Sequence, residues 1–484
     1  MPTTFWEPDC RPDPQPSRRD VGQPGCHRPR LPGPNRTKYG VPALTLLGLA
    51  TLLAAATDHV RGMCRQEAES VIQELVQQRR GQAARDGLSR EQPPRLDQLL
   101  TKAQAEDGRL QLPIGALPLD DKTMPFAVFR KQTAEQPDGL ALFICLHGGG
   151  QYAAAEGPHA WPVNRREFQT QISLALQAYQ PDGIYFIPRM ADDRLGRWWH
   201  RHHQTAWDAV IDHAILHWEV SPDRVYLMGI SEGGYGSAIL APWMADRLAA
   251  ANAMAAGVGL ANPPANLRNV AFRTDVGQND LTFDRKPLAV AYHAELDRLQ
   301  HEDREGYLHG LNVQPGRGHG IDYRPGVVWI AEHVRNPWPP RVVWINQQLH
   351  GRRRPRFYWL AMPETPGDGD LRLVAEVDRQ TNRIHLEVDR LEETNTDGNR
   401  THGMDNVAAS RRTPLTGARV ELLLSDALLD LDRPVTVIAN GAPVFEGMVP
   451  RSRAVIQEAL AQRPDPAQCP TAKLTVETSV PPEK

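Results

Sequence analysis

Short apolar runs alternate with longer amphipathic segments along the middle of the chain, from about residue 124 to residue 338. Short apolar runs predict buried strands, and apolar positions at helical spacing predict helices packed on them. The predicted strands are 126–129, 141–146, 183–187, 225–228, 250–256, 270–276 and 310–313, and the predicted helices are 204–218, 234–244, 286–299 and 327–333. Strands that alternate with helices build a mostly parallel sheet with helices on both faces, so the pattern predicts the α/β class.

The two flanks of this region carry different patterns. Before it, Val71, Ile72, Leu75 and Val76 lie at helical spacing in a mostly polar stretch, which predicts a helical segment. After about residue 339 the alternation stops, and the predicted strands are 355–361, 371–378, 382–389, 418–425 and 434–448. We expect a long exposed loop over 392–413 and a helix over 452–461.

The front of the chain differs from everything that follows. Residues 1–40 hold nine prolines, seven basic and four acidic side chains, and no apolar periodicity, which predicts a disordered basic leader. Residues 41–56 are uncharged and end in three alanines, the small-residue pattern of a signal peptidase site. Sixteen helical residues reach about 24 Å, less than the roughly 30 Å of a bilayer core, so a cleaved signal is favoured. An uncleaved anchor and a surface helix are the alternatives, and a secreted or periplasmic location follows from the first two.

These patterns divide the chain into four parts. They are a leader with a signal peptide or anchor (1–57), an N-terminal helical segment (58–119), an α/β domain (120–339) and a small β-rich C-terminal domain (340–484).

Composition narrows the class of protein without naming an activity. The 484 residues are 40% hydrophobic and 23% charged, which excludes a disordered or fibrous protein. The net charge is only -3, so we expect no binding to nucleic acid, and contact with a membrane only through the N-terminal segment. The leader contributes +3, and the remainder of the chain therefore carries -6.

A serine lies between glycines where a predicted strand meets a predicted helix. The strand 225–228 is followed by Gly229, Ile230, Ser231, Glu232 and Gly233. Glycines at such a turn let the chain bend sharply and hold the serine hydroxyl above the sheet. The sequence therefore predicts a nucleophile at Ser231.

A run of glycines ends an earlier strand. Residues 141–146 are followed by His147 and by Gly148, Gly149 and Gly150. Backbone N–H groups at such a strand end can point at a carbonyl oxygen, and the N–H of Glu232 would complete an oxyanion hole. A flexible turn is the alternative interpretation.

An acid and a base, the two further groups that a catalytic triad needs, follow the serine in the chain. Asp280 lies 49 residues after Ser231, where the strand 270–276 ends, and His319 lies 39 residues later on a glycine-rich loop. Asp275 and Asp284 flank Asp280 and are the other candidates for the acid.

The four motifs HGGG, GISEGG, VGQND and GRGHG, which span about residues 120–338, resemble the α/β-hydrolase fold, in its branch of extracellular esterases and polyhydroxyalkanoate-depolymerase-like enzymes. The resemblance implies Ser231 as nucleophile, His319 as general base and then acid, and Asp280 as the group that orients the imidazole. It implies Gly149, Gly150 and Glu232 as backbone oxyanion donors. The expected activity is a serine hydrolase that cleaves carboxylic esters, small or polymeric, with no cofactor.

Two other functions stay open at this point. A serine peptidase of the prolyl-oligopeptidase type would use the same triad. A binding module of the same fold with a vestigial site would need no chemistry.

Other conspicuous side chains allow a functional and a structural interpretation. Trp198, Trp199 and Tyr235 are candidates for substrate binding, although core packing explains tryptophans equally well. His213 and His217 lie four residues apart on a predicted helix, but no HExxH motif accompanies them, so we expect no metal. The basic run Arg352, Arg353, Arg354 and Arg356 is interpreted as a solvated or carboxylate-paired linker.

Overall fold

The computed structural model describes residues 62–81, 87–106, 110–364, 367, 369–396 and 406–479. The predicted leader, signal segment and anchor lie outside the described residues. No helix in these ranges is long and apolar enough to cross a membrane.

An eight-stranded sheet forms the centre of the α/β region. Its strands are β1 (Ile114–Leu119), β2 (Lys122–Lys131), β3 (Leu140–Leu146), β4 (Gly183–Pro188), β5 (Val220–Ile230), β6 (Ala250–Met254), β7 (Ala271–Gly277) and β8 (His309–Gln314). They lie in the order β1-β2-β4-β3-β5-β6-β7-β8. The first two pairings are antiparallel, and all pairings from β4 to β8 are parallel. The predicted α/β class with a mostly parallel sheet is confirmed.

Helices cover the sheet on both faces. They are α3 (Pro162–Gln177), α4 (Arg201–His217), α5 (Glu232–Trp243), α6 (Arg285–Glu302) and α7 (Arg324–Ala331), preceded in the chain by α1 (Arg65–Gly81) and α2 (Leu96–Ala105). The two faces bury separate apolar clusters, one under α4 and α5 and the other under α3 and α7. Strands β3 and β4 are buried at every position, because both their faces are covered.

The structure differs from the predicted elements at two places in this region. Helix α3 was not predicted, although its buried Phe168, Ile172 and Ala175 lie at helical spacing. Strand β1 lies within the segment predicted to be helical, where it pairs with β2 along the antiparallel edge of the sheet.

The C-terminal region is rich in strands, as predicted. It contains β9 (Arg341–Asn346), β10 (Arg356–Phe357), β11 (Leu360–Ala361), β12 (Asp370–Asp378), β13 (Arg383–Thr396), β14 (Asn406–Pro414), β15 (Arg419–Leu424), β16 (Val435–Ala439), β17 (Ala442–Gly447), helix α8 (Arg453–Gln462) and β18 (Ala472–Glu477). One sheet has the order β10-β11-β15-β18, and the other β17-β16-β13-β12-β9 with β14 on β13. The prediction of a loop over 392–413 is wrong at both ends. There β13 and β14 pair, from Glu392 opposite Arg411 to Thr396 opposite Asn406.

The C-terminal sheets share an apolar core with the α/β region. Trp344 and Phe357 belong to the same buried cluster as Trp207 of α4 and Trp243 of α5. Asn266, after β6, accepts a hydrogen bond from Ile345 N–H (2.6 Å) and donates to Ile345 O (3.1 Å). The C-terminal strands are therefore packed against the helices that carry the predicted site.

Candidate active site

The predicted site residues gather at one edge of the central sheet. Strands β3, β5, β7 and β8 run parallel, so their carboxyl ends meet at the same edge. His147 follows β3, Ser231 follows β5, Asp280 follows β7 and His319 follows β8. Residues separated by up to 172 positions in sequence are brought together by topology alone.

Ser231 occupies a strained turn between β5 and α5. Its φ of 55° lies in the left-handed region, which costs a non-glycine residue about 1–3 kcal/mol. Close packing makes glycine necessary on both sides of it. A Cβ at Gly229 would lie 2.2 Å from Gly233 O, and a Cβ at Gly233 would lie 2.2 Å from Leu146 O. The motif therefore lets helix α5 approach the end of β3 while presenting the serine.

The serine, the histidine and the aspartate form a continuous chain of hydrogen bonds. His319 Nε2 lies 3.0 Å from Ser231 Oγ, and His319 Nδ1 lies 2.8 Å from Asp280 Oδ2. Asp280 is buried, while the His319 side chain is 35% exposed. The imidazole thus bridges a buried carboxylate and a hydroxyl at the surface of the site.

Asp280 is the carboxylate that meets the imidazole, and Asp275 is not. The Asp275 carboxylate binds the Arg273 guanidinium (2.8 Å) and accepts a hydrogen bond from Asn312 Nδ2 (2.6 Å). The loops after β7 and β8 are joined by a hydrogen bond from Asn279 N–H to Arg317 O (2.8 Å). That bond holds the loop of Asp280 against the loop of His319.

Arg285 is a part of the site that the sequence did not reveal. Its Nη1 lies 3.1 Å from Asp280 Oδ1, the oxygen that does not face His319. Its guanidinium also lies over the rings of Tyr235 (5.9 Å) and Phe283 (5.0 Å), and it is buried. The position five residues after Asp280, at the start of α6, was the only signal available for it.

The structure corrects one prediction about the glycine run after β3. Gly150 N–H donates to Asn164 Oδ1 (2.9 Å), and Asn164 Nδ2 donates back to Gly150 O (2.9 Å). The predicted role of Gly150 as an oxyanion donor is therefore not supported, because its N–H is already engaged. Glu232 is the first residue of α5, where an N–H has no acceptor within the helix.

A buried polar scaffold holds this glycine run from behind. Asn164 also donates to Asp193 Oδ1 (2.7 Å), and the Arg189 guanidinium binds both oxygens of Asp193 (2.6 and 2.7 Å). His147 accepts a hydrogen bond at Nε2 from Met190 N–H (3.1 Å). Burial lowers the pKa of His147 to about 3, so the imidazole is neutral and acts as a structural link.

The side chain of Glu232 also lies beside the site. It is buried, its Oε2 lies 3.1 Å from Arg197 Nη1, and the same oxygen would lie 3.4 Å from a Cβ at Gly150. Burial raises the pKa of Glu232 to about 7, although Arg197 and Arg285 oppose the rise. The residue predicted only as a backbone donor therefore also places a titratable carboxyl next to the glycine run.

The three aromatic residues predicted to bind substrate are buried. The Trp198 indole N–H donates to His147 O (3.0 Å), so Trp198 packs behind the glycine run. Trp199 lies 5.6 Å from the Arg197 guanidinium, and Tyr235 lies against Arg285. Burial raises the pKa of Tyr235 to about 12. The packing alternative is favoured for all three.

Exposed apolar surface occurs on two other segments near the site. Leu281, directly after Asp280, is 58% exposed. Tyr152, two residues after Gly150, is 46% exposed, and its ring stacks on Trp161 at 5.4 Å.

The histidines of α4 are parts of the packing. His213 Nε2 lies 2.8 Å from Ser89 O, and its ring contacts His217 and Trp218. In the part of the chain that the structure describes, no group of three or more His, Cys, Asp or Glu side chains is arranged to hold a metal ion.

The strand order, the serine at the strand–helix turn and the hydrogen-bonded Ser231, His319 and Asp280 together define an α/β-hydrolase fold. No protein-family model and no curated protein matches the chain.

Among solved structures, the chain is similar to a thermostable esterase at 16% identity and a TM-score of 0.35, covering 46% of this chain and 63% of that one. The chain thus spans less than two thirds of that esterase. It is also similar to esterase 2 of Thermogutta terrifontis (13% identity, TM-score 0.34, 46% of this chain, 90% of that one). A third match is a poly(3-hydroxybutyrate) depolymerase from Bordetella parapertussis (14% identity, TM-score 0.31, 48% and 89%). Likeness at this level carries no argument about activity, and the fold assignment rests on the sheet and the site.

Proposed function

We propose that the protein is a serine hydrolase that cleaves carboxylic esters through an acyl-enzyme. The observation that carries the proposal is the hydrogen-bond chain from Asp280 Oδ2 through His319 to Ser231 Oγ, with distances of 2.8 and 3.0 Å. A histidine that contacts both a carboxylate and a serine can take the hydroxyl proton as the oxygen attacks a carbonyl.

The reaction proceeds in two halves. Ser231 Oγ attacks the ester carbonyl carbon while His319 Nε2 takes its proton, and the N–H groups of Gly149 and Glu232 stabilise the oxyanion. The tetrahedral intermediate collapses, and His319 returns the proton to the departing alcohol. His319 then takes a proton from water as the water attacks the acyl-enzyme. The acid leaves, and the proton returns to Ser231 Oγ. Asp280 orients the imidazole and stabilises its cation throughout.

Carboxylic esters are proposed over amides because of the glycine run after β3, a form of oxyanion loop that recurs in esterases and lipases. Leu281 and the Tyr152 ring expose apolar surface near the site. This surface supports an ester substrate whose acyl or alcohol group is apolar. A peptidase would use the same three residues, so the choice of substrate needs a direct comparison.

Three measurements test this proposal together. Purified protein is assayed on p-nitrophenyl esters of increasing acyl length and on peptidyl p-nitroanilides, and is labelled with a fluorophosphonate probe. We expect ester turnover, labelling at Ser231 and a loss of at least about 10³-fold in kcat for Ser231→Ala with unchanged unfolding.

Other outcomes would replace the proposal. Faster cleavage of the anilides than of the esters would point to a peptidase. Folded protein that is neither labelled nor active would point to a binding module. Full turnover by Ser231→Ala would exclude Ser231 as nucleophile.

We further propose that the enzyme acts outside the cytoplasm, in a secreted or periplasmic form. The support is the uncharged run 41–56 with its terminal alanines. Fractionation of expressing cells, with N-terminal sequencing of the protein found, tests this. A mature N-terminus near residue 57 is expected, and an intact leader in the membrane fraction would indicate the anchor instead.

A further inference from the structure

The basic run near residue 354 folds into one wall of a pocket far from the triad. The pocket has a volume of about 320 Å³ and lies among α4, the C-terminal end of α5, the segment 352–356 and the end of α8. Six arginines line it: Arg247, Arg352, Arg353, Arg354, Arg356 and Arg463. Helix α5 has 12 residues, so its two ends lie about 18 Å apart, with Ser231 at one end and the pocket at the other.

Carboxylates around the pocket pair with four of these arginines. The ion pairs are Arg354 with Asp208 (3.0 Å), Arg247 with Asp212 (2.6 Å), Arg463 with Asp246 (2.7 Å) and Arg353 with Asp370 (3.1 Å). Within the described ranges, Arg352 and Arg356 have no carboxylate at ion-pair distance. Arg356 instead donates to the carbonyls of Tyr358 (3.0 Å) and Gln468 (2.9 Å). Two of the six arginines at the pocket therefore have no ion-pair partner in the part of the chain that the structure describes.

Buried donors at the pocket are also left without acceptors. Arg247 is 1% exposed, and neither its Nη1 nor Nε of Arg354 has a hydrogen-bond partner among the described residues. A buried donor without an acceptor destabilises the fold, because it has lost its bond to water and gained none in return. In addition, burial and repulsion from Arg463 lower the pKa of Arg356 to about 9. An anion would relieve both the repulsion and the shortage of acceptors.

We propose that this pocket binds a small, doubly charged oxyanion of phosphate type, either free or as the terminal group of a small molecule. Guanidinium groups bind the oxygens of such anions through paired N–H donors, and two uncompensated arginines match two negative charges. The ligand would join the segment 352–356 and the end of α8 to helices α4 and α5.

The shape of the site selects a small ligand over a nucleic acid. Arg247 and Arg354 are buried, and the Arg354 guanidinium stacks on the Trp243 ring at 4.9 Å. Polymer phosphates need cations spread over an accessible surface, whereas these donors surround a concave space.

Thermal unfolding and titration calorimetry with inorganic phosphate test the proposal. Phosphate is compared with sodium chloride at equal ionic strength, so that a general salt effect is subtracted. We expect phosphate to raise the unfolding midpoint by a few degrees beyond chloride, with a dissociation constant below about 1 mM. Glycerol phosphate forms the second arm, and tighter binding than inorganic phosphate would identify the ligand as a terminal phosphate group.

Matched variants locate the effect. Arg352→Gln and Arg356→Gln should each weaken phosphate binding at least tenfold, and Arg298→Gln should not change it. Arg298 is an exposed arginine of α6 that pairs with Glu295 and Glu302. Arg352 is partly exposed and unpaired, so its substitution leaves the buried ion pairs in place, and unfolding without phosphate checks this.

A midpoint shift that is equal in phosphate and chloride would overturn the proposal. So would a phosphate-specific shift that persists unchanged in both arginine variants. Because every readout is binding or unfolding, these results are independent of ester hydrolysis.

Discussion

The two ends of helix α5 present different kinds of chemistry. At its N-terminal end, Ser231, His319 and Asp280 are linked by two hydrogen bonds, and each has a motif in the sequence around it. At its C-terminal end, Trp243 and Arg247 meet charged residues from α4, from the segment 352–356 and from Arg463, directly after α8. The first site is recognisable from short motifs. The second exists only because segments more than two hundred residues apart pack together.

The two ends of α5 also differ in how their charged side chains are paired. Beside the triad, each oxygen of Asp280 has one partner, with Arg285 on one oxygen and His319 on the other. At the far end, arginines outnumber the carboxylates that pair with them. A balanced site is suited to moving a proton within a fixed geometry, whereas an excess of one charge is suited to holding an ion.

The largest expected effect is a loss of stability when a buried arginine at the C-terminal end of α5 is replaced. Arg247→Met removes a buried guanidinium that pairs with Asp212 (2.6 Å) and approaches Asp208 (3.5 Å), which should lower the free energy of unfolding by about 3–5 kcal/mol. Urea denaturation measures this, with the exposed Arg298→Met as the control, for which a loss below about 1 kcal/mol is expected. A small loss for Arg247→Met would mean that the far end contributes little to folding. The geometry of Ser231 and His319 should be unaffected, so kcat on the preferred ester should stay near the wild-type value.

A smaller effect should appear in catalysis when Arg285 is replaced. Arg285 acts through Asp280 as a positioning residue, so Arg285→Gln should lower kcat by about 10- to 100-fold with little change in KM. Arg285→Lys should restore part of the activity.

Arg273→Gln is the matched control for this change, since Arg273 pairs with Asp275 at the same end of β7 and not with the triad. Arg273→Gln should change stability but not kcat. If Arg285→Gln and Arg273→Gln changed kcat to the same extent, Arg285 would have a structural role and not a positioning role.

The smallest expected effect concerns pH and Glu232. Its pKa of about 7 in the fold lies above its ordinary value of 4.5, so the fold favours the protonated form. Its contribution to stability is complete below about pH 4.5 and is lost as the pH rises through 7. Between pH 5 and pH 8 the wild type should lose on the order of 2 kcal/mol more unfolding free energy than Glu232→Gln.

Denaturant titrations at a series of pH values measure how steeply the free energy of unfolding falls with pH, which is the slope compared here. Glu302→Gln, at an exposed position of α6, serves as the control and should keep the wild-type slope. If Glu232→Gln had the same slope as the wild type, Glu232 would not titrate between pH 5 and pH 8.

Local motifs account for what could be predicted of the active site. Ser231, Asp280 and His319 each lie in a short glycine-containing turn after a strand, and parallel strands bring such turns to one edge. Side-chain partners at a distance were not predictable. Arg285 and Asn164 have no distinctive neighbours in sequence. The glycine run predicts an oxyanion donor at Gly150, but Asn164, 14 residues away, accepts the hydrogen bond from its N–H.

The same distinction applies to the fold. Apolar runs buried on both faces predict most strands of the central sheet. The sequence pattern does not predict α3, and it predicts a loop where the ends of β13 and β14 pair. The residues of that hairpin are mostly polar, and only pairing between the two strands makes their backbone regular. Trp198 and Trp199 could be assigned to the core only once the helices were packed.

The sequence by itself determined the α/β class, the serine turn and the order of the triad residues, because these depend on periodicity and on local backbone geometry. Tertiary structure alone decided which carboxylate meets His319, that Glu232 is buried beside the glycine run, and that six arginines surround one pocket. These features depend on burial and on distances between remote segments, and neither is encoded in any single stretch of chain.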